Sequence, residues 1–78
     1  MDYEFEECRT GYWKAEFEEF EPVAESIREK FETEVDTDNL ILFHAEGVKC
    51  TFPRSSATLT IRTGNRERAE EIAEKAAP

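Results

Sequence analysis

Apolar side chains recur along this chain in two rhythms. Val23, Ile27 and Phe31 stand at helical spacing behind Pro22, a residue suited to the first turn of a helix, and predict a helix over about 22–33. Before it, Tyr3 and Phe5, then Trp13, Ala15 and Phe17, alternate on either side of an Arg9-Thr10-Gly11 turn, the pattern of a β-hairpin. Trp13, Phe17, Phe20, Ala24, Ile27 and Phe31 also trace one face of a longer helix. The hairpin is the preferred reading, because the residue before Pro22 resists helical backbone.

The second half is written mostly in twos. Leu40 to Ala45 form a short apolar run, Glu46-Gly47 makes a two-residue turn, and Val48, Cys50 and Phe52 alternate after it. That turn sets a register in which Phe43 faces Cys50 and Ile41 faces Phe52, with Leu40, Leu42, His44, Lys49 and Thr51 on the opposite face. Pro53 closes the strand, Arg54-Ser55-Ser56 turns, and Ala57, Leu59 and Ile61 alternate with Thr58, Thr60 and Arg62 in a third strand. Gly64-Asn65 then punctuates the chain. Asn65 can cap a last helix, whose stripe is Ala69, Ile72, Ala73 and Ala76. The expected fold is α+β: one domain over 1–78 in the order ββαβββα, with an antiparallel sheet and both helices packed on its Ile41/Phe43/Cys50/Phe52/Leu59/Ile61 face.

Composition narrows the function classes. A domain of 78 residues buries only roughly 60 % of its unfolded surface, so the six Phe, two Tyr and one Trp must supply much of the core. Nineteen acids against ten bases give a net charge of −9, which disfavours general binding to a nucleic-acid backbone or an anionic membrane. The imbalance sits in residues 1–46, with 15 acids and 4 bases; residues 47–78 carry 4 acids and 6 bases. No apolar run approaches the ~18 residues of a membrane span, and the opening MDYEFEEC lacks a leader's character, so a cytoplasmic location is expected. Cys8 and Cys50 have no zinc-pattern companions and read as reduced thiols, Cys50 in the core.

Three features carry candidate chemistry. In Glu32-Thr33-Glu34-Val35-Asp36-Thr37-Asp38-Asn39, acids fall at alternate positions between the first helix and the meander. Hard cations take several oxygen ligands from one flexible loop, so Glu32, Glu34, Asp36, Asp38 and Asn39, with Glu46 as an addition, form a candidate Ca²⁺ site. The spacing departs from the EF-hand pattern, since Asn39 replaces the turn glycine and Ala45 stands where a bidentate Glu belongs. Arg62, Gly64, Asn65, Arg66 and Arg68 gather at the start of the last helix, where free N–H groups and guanidinium forks suit an anion. Finally, Leu40 and Leu42 point away from the helix layer, toward Thr51, Thr58 and Thr60. Either the N-terminal hairpin covers them, or they form a contact face for a protein partner or a second copy. No Gly-rich phosphate loop, nucleophile elbow or paired-His motif occurs, and His44 has no partner fixed by spacing, so a non-enzymatic binding domain is expected.

Overall fold

The structure, a computed structural model, describes residues 3–78. Eight elements follow in chain order: β1 (Tyr3–Arg9), β2 (Tyr12–Phe17), α1 (Phe20–Lys30), β3 (Glu32–Asp36), β4 (Leu40–Ala45), β5 (Val48–Pro53), β6 (Thr58–Arg62) and α2 (Arg66–Ala76). The strands form one antiparallel sheet in the order β1-β2-β6-β5-β4-β3. Both helices lie on one face, so the α+β class and the two-layer arrangement hold.

Each element follows from local chemistry. The β4–β5 hairpin turns on Glu46 and Gly47, both at positive φ (52° and 82°), and pairs Phe43 with Cys50 and Ile41 with Phe52 as the alternation requires. Two positive φ values make the primed turn whose twist matches a hairpin. At the start of α2 the Asn65 Oδ1 accepts a hydrogen bond from the Arg68 N–H at 3.1 Å. That satisfies one of the free donors of the first turn. Helix α1 begins at Phe20, two residues before Pro22, and ends at Lys30 rather than at 33, because Phe31 adopts extended backbone (φ −128°, ψ 155°) and leads into β3 at Glu32.

That strand is the main correction to the expected order. The sheet has a strand between α1 and the meander, so the order is ββαββββα, and the acidic segment is mostly strand rather than loop. Its one apolar position, Val35, carries little periodic signal. The strand forms nonetheless because it completes the free edge of β4, with a bulge between Thr33 and Val35 that leaves Glu34 unpaired in the ladder. Acids along both edge strands discourage pairing with other chains.

The core lies between the sheet and the helices. Ala15, Ile27, Ile41, Phe43, Cys50, Phe52, Leu59, Ile61, Ala69, Ala73 and Ala76 have no accessible surface. Phe52 stacks on Phe20 with ring centroids 4.9 Å apart and meets Phe17 edge-on at 6.1 Å, while Phe43 packs on Phe31 at 4.7 Å. Where the helices meet, the buried Ser26 hydroxyl donates to the carbonyl of Ala77 at 3.2 Å. Lys30 Nζ donates to the carbonyl of Lys75 at 2.9 Å. Both satisfy carbonyls left free at the end of α2.

Candidate binding face of the sheet

Strand alternation sends Ala15, Phe17, Ile41, Phe43, Cys50, Phe52, Leu59 and Ile61 into the core, so the intervening residues form the other face, on which neither helix packs. The N-terminal hairpin does not cover that face. β1 and β2 extend the sheet sideways, β2 pairing with β6 through Trp13–Ile61 and Ala15–Leu59.

The register orders the open face into rows across the strands. One row is apolar and hydroxyl-bearing: Val35, Leu42, Thr51 and Thr60 face one another in turn, ending at Lys14. Leu40 and its partner Pro53 adjoin it. Val35 is the large apolar side chain left exposed at 37 %, and Leu40, Leu42 and Pro53 are half-buried with no helix above them. The next row is cationic. His44 faces Lys49, Lys49 faces Arg62, and Arg62 lies over the Tyr12 ring at 5.8 Å, with Arg9 over the same ring at 4.4 Å.

Partners separate this row from the other charges. Among the described residues, no carboxylate lies within 4.0 Å of a charged nitrogen of Arg9, Lys49 or Arg62. His44 Nδ1 meets Glu34 Oε1 at 2.8 Å, and Lys14 meets Glu6 at 3.3 Å. The Glu6 hydrogen bond raises the Lys14 pKa, aided by the charge of Glu16. Lys49 and Arg62 thus stand opposite each other as like charges, an unfavourable cross-strand pair.

The acidic candidates do not converge. Glu34 turns to His44 on the open face, whereas Asp36 turns to the helix side and takes the Arg28 Nε at 2.8 Å. Glu32 faces His44 across the β3–β4 ladder. In the following turn Arg54 holds the backbone, its N–H donating to the Asn39 carbonyl at 2.8 Å and its side chain to that of Asp38. Glu46 pairs with Arg68 at 3.1 Å near the far end of β4. Among the described residues, no three Asp, Glu, His or Cys side chains gather as a metal-ligand group.

The residues at the start of α2 are likewise engaged. Arg66 pairs with Glu70 at 2.9 Å, Arg68 with Glu46, and Asn65 caps the helix, while Arg62 projects onto the open sheet face. A groove of about 270 Å³ beside α2 has Phe31, Ala45 and Ile72 among its lining residues and Lys30, Glu32, His44, Glu46, Arg68, Glu71 and Lys75 around them. Several of these charges already have partners, Lys30 holding α2 carbonyls and Arg68 holding Glu46. Cys50 is buried, and burial pushes its thiol up to about 12; Cys8 is exposed.

Comparison of the chain with family models, curated proteins and solved structures finds no match.

Proposed function

We propose that this protein is a binding module that holds a protein partner against the helix-free face of its sheet. The contiguous patch of Val35, Leu40, Leu42 and Pro53, set in a threonine surround on a strongly acidic molecule, carries the reading. Antiparallel sheets commonly leave one face to water, and such faces are then polar. Here the outward positions include two leucines and a valine from adjacent strands, where burial against a partner would release apolar surface.

Charge supports the same face. Its outward positions include five carboxylates (Glu4, Glu6, Glu16, Glu32, Glu34) and four Lys or Arg (Arg9, Lys14, Lys49, Arg62), leaving it near neutral on a chain of net charge −9. Most of the excess acid lies elsewhere, so a partner approaching this face meets the least repulsion.

Acylation of lysines tests the reading. In a native extract of the source cells, Lys49 should label at least threefold more slowly than in the purified protein, while Lys75 on α2 labels equally in both. Equal labelling of Lys49 in the two preparations would contradict the proposal.

A further inference from the structure

From the cationic row we infer the partner's chemistry: the open face takes a short, extended acidic peptide segment, whose carboxylates lie along Arg9, Arg62 and Lys49. The inference rests on the face being a protein contact surface and adds what that surface recognises. This chain has almost twice as many acids as bases, 19 against 10, yet among the described residues three cations of one row have no carboxylate within 4.0 Å and two of them stand opposite each other. An acidic ligand converts that like-charge contact into two charge-assisted hydrogen bonds.

Geometry fixes the length. Strands lie about 4.8 Å apart, so Arg9 to Lys49 spans three intervals, ~14 Å. Extended chain advances about 3.3 Å per residue, so some four to six residues cover the row. Leu42 and Val35 in the neighbouring row offer apolar contacts for aliphatic side chains of the same segment.

A nucleic acid fits the surroundings less well. Glu4 and Glu16 on one side of the sheet, and Glu32 and Glu34 at the end of the row, oppose a phosphate backbone that continues past the cations. Tyr12 is the single aromatic side chain pointing outward from the sheet among the described residues, and its ring already carries Arg9 and Arg62, so no platform for successive stacked bases is present.

The test is fluorescence anisotropy of a fluorescein-labelled hexa-glutamate peptide, with an unlabelled dT6 oligonucleotide as competitor. At 20 mM NaCl the wild-type protein should bind the peptide, with at least tenfold weakening at 150 mM. K49E/R62E should weaken binding at least tenfold. R66E/R68E, which changes net charge equally at the start of α2, should alter it less than threefold, both variants first shown to fold by circular dichroism. Equal weakening by the two variants, or no peptide binding at 20 mM NaCl, would overturn the inference while leaving the Lys49 labelling contrast intact as evidence on the face itself. Competition by dT6 at lower concentration than unlabelled hexa-glutamate would also overturn it, assigning the row to nucleic acid instead.

Discussion

Leu42 and Phe43 are neighbours in β4 and point to opposite faces, so substituting each in turn separates the face that folds the protein from the face assigned to its partner. Phe43 has no accessible surface and packs on Phe31 at 4.7 Å. Phe43→Ala removes a ring from a site closed by α1, β5 and their side chains, which costs about 3–5 kcal/mol including the cavity left behind. A domain of this size has about 4–12 kcal/mol in total, so the variant loses a quarter of its stability or more. The midpoint of thermal unfolding should fall by roughly 12–40 °C. Leu42 is half-buried among Val35, Thr51 and its own strand neighbours. A fully buried Leu is worth about 1.5–3 kcal/mol, and Lys keeps its aliphatic stem on the same surface, so Leu42→Lys should cost about 1 kcal/mol or less. Urea denaturation at constant m-value measures both. A loss from Leu42→Lys as large as that from Phe43→Ala would refute the division of the sheet into a structural and a free face.

Three further outcomes follow from named contacts. Ser26→Ala removes a buried hydroxyl and leaves the Ala77 carbonyl with only the longer Lys30 Nζ contact at 3.4 Å. It should cost about 1 kcal/mol in urea denaturation, whereas Asn65→Ala, about as costly, acts at the other end of that helix. Burial raises the Cys50 thiol from its ordinary 9.0 to about 12, so folding favours the protonated thiol. That stability is fully present below pH 9 and declines by about 1.4 kcal/mol per pH unit between pH 9 and 12. Cys50→Ala should flatten that alkaline slope, and a disulfide reagent at pH 8 should modify Cys8 at once but Cys50 only on unfolding. Because Glu34 and Asp36 turn to opposite sides of β3 and hold His44 and Arg28, millimolar Ca²⁺ should raise the unfolding midpoint no more than Mg²⁺ does at matched ionic strength. A selective Ca²⁺ response lost in E34Q/D36N/D38N would show that the acidic segment binds metal after all.

Legibility of the fold in the sequence followed the range of the interactions. The β4–β5 register was readable because a two-residue turn and strict alternation are local, and Asn65 was readable as a cap because its acceptor acts three residues on. β3 was not. Glu32-Thr33-Glu34-Val35-Asp36 has strand alternation only in its acids, and its pairing depends on the free edge of β4, a tertiary fact. The open face was half legible. Alternation placed Leu40, Leu42, His44 and Lys49 outward, but the cationic row needs β2 beside β6 and β6 beside β5, which brings Tyr12 to Arg62 and Arg62 to Lys49. Outward Lys49 and Arg62 on successive meander strands were the available signal. Within the acidic run, sequence proximity says nothing of the side to which a bulged strand turns each carboxylate.

The most direct test of the contact face is photo-crosslinking within the source cells, with a benzoylphenylalanine placed in turn at Leu42, Thr60 and Glu25. Leu42 and Thr60 lie on the open face, and Glu25 is exposed on α1. The account expects a discrete protein adduct of the same mass from positions 42 and 60, abolished by K49E/R62E, and none from position 25. Adducts from position 25 alone, or none from 42 and 60, would contradict it.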